Sequence, residues 1–302
     1  MRTIVHPGPA QREALVQPVR LRAHALDLPA GASLLDAVDL AVRARCGAAA
    51  SGVLHLRGGR CEPFPYVLPA LSRSPEHAVY FSDRHEADGA VELVEATATL
   101  GRHADGRPWL HSHVDWIEAD GRPGCGHVLP DQARLSRPPA QATFWQMLGA
   151  HYAVQADEET RFSLFKPVAM PAMPVAADVP GDQATADMPG TAALALRLGP
   201  NLDVCETLEA ICAAHGIERA VVRGGVGSTV GAVFDDGRVV EPFVTETLIR
   251  SGRIEPDAQG RLRAAIDVTM IDFHGARHQG RLSRGQNPVL VTFELVLVAS
   301  TA

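Results

Sequence analysis

The chain has 302 residues, of which 46% are hydrophobic and 21% are charged, and its formal net charge at pH 7 is −7. This composition is typical of a globular protein and argues against disorder over the whole chain. The negative charge argues against a broad surface for nucleic acids or anionic membranes, so we expect small-molecule or protein partners. The length exceeds that of a usual single domain and predicts two domains.

The sequence has no run of about 18 apolar residues that could span a bilayer, and its first residues lack the apolar centre of a secretory signal. We therefore expect a cytoplasmic protein. The five cysteines form no CxxC pair. Their spacing argues against both a disulfide framework and a cysteine zinc cluster.

Each half of the sequence begins with an apolar strand, a loop and a capped helix. The first predicted helix, SLLDAVDLAVRARCG, has Ser33 as its N-cap, and the second, DVCETLEAICAAHG, has Asp203 in that role at an offset of 170 residues. Both caps are followed three places on by an acidic residue, which is a capping pattern. Each helix is followed by a predicted strand that ends in Arg-Gly-Gly, at 57–59 and 223–225. The repeat predicts an internal duplication.

The later parts of the two halves repeat at an offset of 154 residues, and they are predicted strands joined by turns such as 104–106 and 119–121. One main helix packed on a mainly antiparallel β-sheet in each half is the α+β class. Residues 167–190 include five prolines and have no periodic apolar face, which predicts an extended linker. We therefore expect domains at 1–166 and 191–302.

Three histidines follow Trp109 in the pattern H-x-H-x13-H. Alternation along a strand puts His111 and His113 on one face, while apolar residues occupy the other face. The chain then turns near 120–121 and returns, which can bring His127 beside the pair. Three neutral imidazoles with an open fourth position suit Zn²⁺ or another divalent transition metal. The alternative is that they are surface histidines without a role.

The second half provides an internal comparison for this pattern. At the offset of 154, the positions of the three histidines are taken by Ala265, Asp267 and Arg281, while the opposite strand face stays apolar. The two halves are therefore predicted to share a core and to differ in chemistry. We expect metal binding by the first domain only and interpret the second as a degenerate structural copy.

These residues resemble the plants and prokaryotes conserved (PPC) domain family, and the resemblance covers both halves. The family's H-x-H strand, turn and Gly-Gly-His strand are matched by His111, His113 and 126–127, with Cys125 in the first glycine position. The family's Gly-x-Gly-Ser turn is matched only at 225–228. The resemblance implies a central antiparallel sheet, trimerisation and, in bacterial members, a metal held by the three histidines. It implies little about a reaction.

Plant members of the family associate with DNA through a separate AT-hook, whose core is Arg-Gly-Arg-Pro. This sequence has Asp-Gly-Arg-Pro at 105–108 and 120–123, and an aspartate in place of the first arginine would repel DNA phosphates. We interpret both stretches as turns. A DNA-associated regulator stays an alternative that the charge disfavours, and we expect self-association, most simply as a trimer.

Other residues could support the site. Asp115 is predicted to share the strand face of the first two histidines and could orient one of them. Cys125 is predicted to share the face of His127, as an extra ligand or as an inert thiol. The segment 64–83 could close over a pocket or simply cover the core, with His77 and His85 as candidate proton carriers. If the protein is an enzyme, we expect a metal-dependent hydrolase or lyase acting on a small polar substrate.

Overall fold

The structure is a computed structural model that describes residues 2–170 and 190–300. Within these ranges the first half of the chain has one helix, α1 (Leu34–Cys46). Its strands are β1 (Ala14–Ala25), β2 (Gly52–Arg57), β3 (Arg60–Cys61), β4 (Pro65–Val67), β5 (Pro69–Leu71), β6 (Val79–Phe81), β7 (His85–Glu86), β8 (Val91–Arg102), β9 (Pro108–Ile117), β10 (Pro123–Val128), β11 (Leu135–Arg137), β12 (Gln141–Leu148), β13 (Ala150–Ala156) and β14 (Ser163–Ala169).

The described part of the second half has a shorter list of elements. Its helix is α2 (Val204–Ala214). Its strands are β15 (Thr191–Leu198), β16 (Ala220–Val233), β17 (Val239–Pro256), β18 (Leu262–Asp272), β19 (Arg277–Arg281) and β20 (Val289–Ala299). Neither of the two helices is long and apolar enough to cross a membrane.

Both helices begin after the residues that the sequence predicts as caps. The Ser33 hydroxyl accepts a hydrogen bond from the backbone N–H of Asp36 at 3.0 Å, and the Asp203 carboxylate accepts one from the N–H of Glu206 at 2.9 Å. Each cap satisfies a backbone donor that has no partner inside the first helical turn. Each helix also has a buried apolar face, which packs in the core of its own half. Each half is thus one helix on a mainly antiparallel sheet, and the α+β class is confirmed.

The duplication extends to the strands that carry the histidines. In the first half, β8, β9 and β10 form an antiparallel meander, and β17, β18 and β19 form the corresponding meander in the second half. Strand β9 begins at Pro108 and β18 begins at Leu262, which is the predicted offset of 154 residues. The repeat in the sequence is therefore a repeat in the fold.

Strand β1 joins the sheets of the two halves. Its residues 20–25 pair with β12 of the first half, and its residues 14–21 pair with β15 of the second half, both in antiparallel register. A separate apolar cluster buries this junction. Within it, the hydroxyl of Tyr152 lies 2.9 Å from the carbonyl oxygen of Leu295 in β20. The halves consequently share one continuous sheet and a common core.

Two details of the predicted boundaries need correction. Strand β14 continues through Ala169, so residues 167–169 belong to a strand instead of the expected linker. Residues 171–189 of the predicted linker lie outside the described residues. Strand β16 does not end at its Arg-Gly-Gly but continues to Val233. Gly224 and Gly225 have φ angles of 67° and 114°, which favour glycine and let the strand bend without breaking.

Candidate metal centre

The three histidines of the sequence pattern lie together on two adjacent strands. His111 and His113 are on β9, His127 is on β10, and the antiparallel register places His127 directly opposite His113. The ring centroids of the three imidazoles lie 4.9 to 5.3 Å apart. Strand alternation and a short turn are sufficient to produce this arrangement, as the spacing predicts.

Hydrogen bonds from the second half orient two of the imidazoles. Nδ1 of His113 lies 2.8 Å from the backbone carbonyl oxygen of Thr247, and Nδ1 of His111 lies 2.7 Å from the carboxylate of Glu294. A carbonyl oxygen and an ionised carboxylate only accept hydrogen bonds, so Nδ1 is the donor in both rings. The neutral form of each ring then has an unprotonated Nε2. The two Nε2 atoms are 3.2 Å apart.

A carboxylate from the second half completes the cluster. Oε2 of Glu246, on β17, lies 2.6 Å from Nε2 of His113. Glu246 and the three histidines each have one ligand atom within 4.8 Å of those of the other three. Among the described residues, the buried Nδ1 of His127 has no hydrogen-bond partner. In the neutral forms of His111 and His113, the two Nε2 atoms and Oε2 of Glu246 are acceptors that face one another, which a cation or an added proton must compensate.

Burial and neighbouring charges act in opposite directions on the pKa of His111 and in the same direction on the pKa of His127. Burial by itself would lower the pKa of His111, but the charge and hydrogen bond of Glu294 outweigh it and raise that pKa above its ordinary value. Burial, followed by the charges of His111 and His113, lowers the pKa of His127 well below its ordinary value. The neutral imidazole of His127 is the form that binds a metal.

The corresponding positions of the second half form an ion pair. Asp267 on β18 pairs in register with Arg281 on β19, as His113 pairs with His127. Their side chains form two charged hydrogen bonds of 3.0 and 3.2 Å. This copy of the site thus has no pair of histidines. The prediction that the second half is only a structural copy is nevertheless wrong. Glu246, Glu294 and the Thr247 carbonyl all belong to the second half, and each contacts a histidine of the cluster.

Two of the proposed supporting residues have other roles. Both carboxylate oxygens of Asp115 are bonded to Arg277 of β19 at 2.7 Å, so Asp115 does not orient a histidine as expected. Cys125 is buried in an apolar cluster with Leu248 and Ile271, outside the His–Glu group. Burial raises the pKa of its thiol, which favours the interpretation as an inert thiol.

A cavity of about 290 Å³ opens beside the cluster, with His111, His127, Glu246 and Glu294 in its wall. The rest of its lining is mostly aromatic and aliphatic. It includes Phe81, whose ring centroid lies 4.9 Å from that of His127. The predicted loop 64–83 therefore does border a pocket, through residues 79–81. The apolar walls do not match the expected small polar substrate and fit a ligand with an apolar body.

The candidate proton carriers are not in this cavity. His77 stacks against Phe162, with ring centroids 4.4 Å apart, and its Nδ1 lies 3.2 Å from the carbonyl oxygen of Thr160. His85 stacks against Tyr66 at 5.3 Å. Neither histidine lines the wall beside the metal cluster. Their assignment as proton carriers is therefore not supported by their positions.

The sequence analysis did not identify the two glutamates that contact the histidines, Glu246 and Glu294. Glu294 is the one acidic residue in the apolar strand VLVTFELVLVA, and its side chain is almost completely buried. A charged side chain inside an apolar strand is buried and needs a partner. The sequence therefore contains a signal that Glu294 contacts another polar group. Glu246 has no comparable signal, because its strand has polar residues on both sides of it.

Fold and site together define an α+β protein of two related halves with a buried His–Glu cluster between them. No family model matches the sequence, and no curated protein matches it with significance. Among solved structures, the chain is similar to a PPC protein from Pyrococcus horikoshii. The two are 13% identical, with a TM-score of 0.38, and the match covers 52% of this chain and 97% of the other. This is the family that the histidine pattern resembles.

Two further solved structures are similar over about half of the chain. A metal-containing protein from Archaeoglobus fulgidus is 17% identical, with a TM-score of 0.36, and the match covers 52% of this chain and 99% of the other. A protein from Bacteroides thetaiotaomicron, provisionally described as DNA-binding, is 10% identical, with a TM-score of 0.35 and coverage of 54% and 98%.

Proposed function

We propose that the protein binds one divalent transition metal ion, with zinc as the best match, through His111, His113, His127 and Glu246. The observation that supports this proposal is the convergence of three imidazole rings and a carboxylate, in which Nδ1 of His111 and of His113 is the hydrogen-bond donor and leaves Nε2 of each neutral ring free to bind a metal. Tetrahedral zinc bound at about 2.0 to 2.1 Å has ligands roughly 3.4 Å apart. The 3.2 Å separation of the two Nε2 atoms is close to that value, whereas the 2.6 Å between Oε2 of Glu246 and Nε2 of His113 is shorter and would lengthen on metal binding.

The hydrogen bonds around the ligands also fit a metal site. Metal-binding histidines commonly donate their second ring N–H to a carboxylate or a backbone carbonyl, which fixes the ring and the tautomer. Glu294 has this role for His111, and the Thr247 carbonyl has it for His113. Both partners belong to the second half, so the proposed centre needs both halves of the chain. This replaces the expectation of metal binding by the first domain only.

The neighbouring cavity supports a second candidate function, a metal-dependent hydrolase or lyase. A metal that took a substrate oxygen or water in place of Glu246, or as a fifth ligand, would polarise a carbonyl group or activate water. The apolar lining around Phe81, Phe162 and Phe165 would hold the body of a ligand and exclude water from its reactive end. The cavity therefore favours a small molecule with an apolar body and one polar group.

Elemental analysis of chelator-treated protein reloaded with zinc tests the metal site. We expect one equivalent of zinc per chain in the parent, and loss of tightly bound zinc in the double variant His111→Ala, His113→Ala. The variant His85→Ala, in which an exposed histidine outside the cluster is removed, is the control and should retain one equivalent. If the double variant is folded by circular dichroism and keeps as much zinc as the parent, the site assignment is wrong.

A separate screen tests the enzymatic candidate. Ester, lactone and hydration substrates with apolar bodies are offered to zinc-loaded and metal-stripped protein. We expect activity that requires the metal and that is lost in His127→Ala. Activity that survives both treatments would contradict this mechanism. Zinc binding without turnover of any of these substrates would favour a binding module.

A further inference from the structure

A second cleft between the two halves is separate from the metal centre. Its volume is about 240 Å³, and none of the four proposed ligands lines it. The first half contributes residues of β2, β8 and β12, and the second half contributes residues of β16 and β17. At its base, the Thr97 hydroxyl donates a hydrogen bond to the Gly225 carbonyl oxygen at 3.0 Å. The walls of the cleft are thus held together by a buried contact between the halves.

The repeated Arg-Gly-Gly motif points into this cleft from both halves. Arg57 begins the motif of the first half, Arg223 begins that of the second half, and both line the cleft. A third arginine, Arg250 of β17, lines it as well. The metal centre makes no use of these three residues.

One buried carboxylate holds two of the arginines. Glu95 lies 2.5 Å from His55, 3.0 Å from Arg57 and 3.3 Å from Arg250. Burial by itself would raise the pKa of Glu95, but hydrogen bonds and charges from His55 and Arg57 outweigh it and lower the pKa to about 2. Glu95 is therefore ionised at neutral pH, and it positions one arginine from each half at the mouth of the cleft.

Arg223 has no such partner. Its guanidinium lies over the ring of Trp145, 5.2 Å from the centroid, and it is partly buried. In the part of the chain that the structure describes, no carboxylate forms an ion pair with it, and burial lowers its pKa. Three arginines and one glutamate leave an excess of two positive charges at the cleft. A partly desolvated guanidinium without a counter-ion favours binding of an anion.

We propose that this cleft binds a small molecule through its phosphate group. A phosphate monoester has a charge of roughly −1.5 to −2 at neutral pH, which matches the excess at the cleft. Guanidinium groups bind phosphate oxygens in pairs through parallel N–H donors, and Arg57 and Arg250 are already oriented by Glu95. Arg223 supplies the unneutralised charge, and the bound phosphate would contact both halves of the chain.

Isothermal titration of the full chain with inorganic phosphate and with pyrophosphate tests the site. We expect saturable binding of one anion per chain, and a loss of affinity of about tenfold or more in Arg223→Gln. Arg250→Gln should give a similar loss of affinity. Because Arg250 is exposed, its substitution should not disturb the fold, so this variant tests the site even if Arg223→Gln misfolds. Arg107→Gln, in an exposed turn, is the matched control and should bind like the parent.

Three results would overturn the proposal. They are the absence of saturable binding at millimolar phosphate, equal affinities in the parent and in both cleft variants, and tighter binding of malonate than of phosphate. The double variant His111→Ala, His113→Ala should bind phosphate like the parent. Loss of phosphate binding in that variant would assign the anion to the metal centre instead of the arginine cleft.

Discussion

Oε2 of Glu246, in the second half of the chain, lies 2.6 Å from Nε2 of His113 in the first half. The two residues are brought together by the packing of β17 of one half against β9 of the other. Neither half by itself therefore has all four residues of the His–Glu cluster. The second half has no histidines at the corresponding positions, but it still contributes a carboxylate to the cluster.

Removing the charge of Glu246 should weaken metal binding without changing the fold. In Glu246→Gln we expect zinc affinity to fall by at least about tenfold, because the amide keeps the shape of the side chain and loses the anionic ligand. Competition with a chelating dye measures the change. Glu241→Gln, which alters an exposed glutamate of the same strand, should leave the affinity unchanged. Equal affinities of the parent and Glu246→Gln would exclude Glu246 as a ligand.

Glu294 should act on the metal through His111. We expect Glu294→Gln to lower the zinc affinity by about 10- to 100-fold while the stoichiometry stays at one, since the ligands remain but one ring loses its anionic hydrogen-bond partner. Substitution with Co²⁺ provides the second measurement, because its visible spectrum reports the coordination geometry. A spectrum altered as strongly as that of Glu246→Gln would show that Glu294 itself is a ligand.

The ion pair between Asp115 and Arg277 should contribute to the stability of the contact between the halves. Asp115 is almost completely buried, and its two bonds to Arg277 connect β9 to β19. Asp115→Asn leaves the guanidinium without its counter-ion and should lower the free energy of unfolding by about 3 kcal/mol. Urea denaturation measures this change. Asp105→Asn, in an exposed turn, should unfold at nearly the same urea concentration as the parent, and a similar result for Asp115→Asn would contradict the prediction.

The titration of Glu95 should make the free energy of unfolding depend on pH in the acid range. Its pKa is lowered from 4.5 to about 2 in the folded chain, since the hydrogen bonds and charges of His55 and Arg57 outweigh burial. Because the pKa is lower in the folded chain than in the unfolded chain, the ionised Glu95 carboxylate stabilises the fold above pH about 4.5. Its contribution to the free energy of unfolding is on the order of 3 kcal/mol, and it is lost as the pH falls towards about 2. Arg250 faces the same carboxylate and remains charged over this range.

The matched variant for this prediction is Glu95→Gln. We expect it to be less stable than the parent at neutral pH, with the difference between the two proteins shrinking as the pH falls through the acid range. Urea denaturation at a series of pH values measures that difference. The other carboxyl groups titrate in both proteins, so their contribution does not appear in the difference. A difference that stays constant from neutral pH to pH about 2 would show that Glu95 does not titrate as proposed.

Duplex DNA should not bind tightly at physiological salt. The net charge of −7 repels the DNA backbone, and an aspartate replaces the first AT-hook arginine at 105–108 and 120–123. Fluorescence anisotropy with a labelled duplex tests this expectation. Submicromolar binding that weakens steeply with added salt, as counterion release requires, would restore the interpretation as a DNA-associated regulator.

Local patterns in the sequence were enough to predict both helices and the three-histidine cluster. The caps Ser33 and Asp203 act on residues three places on, and the cap signal lies within one helical turn. Strand alternation decides that His111 and His113 share a face, and a short turn returns His127 to them. These relationships span few residues, so the chain geometry of a helix or a hairpin determines them.

The partners of those residues depend on contacts between distant parts of the chain. Thr247 lies 134 residues from His113, Glu294 lies 183 residues from His111, and Arg277 lies 162 residues from Asp115. Periodicity and spacing specify which face of a strand is polar, but they do not specify which distant strand packs against that face. The packing of the two halves, joined through β1, therefore decided that Glu246 faces the histidines and that Asp115 pairs with an arginine instead of a histidine.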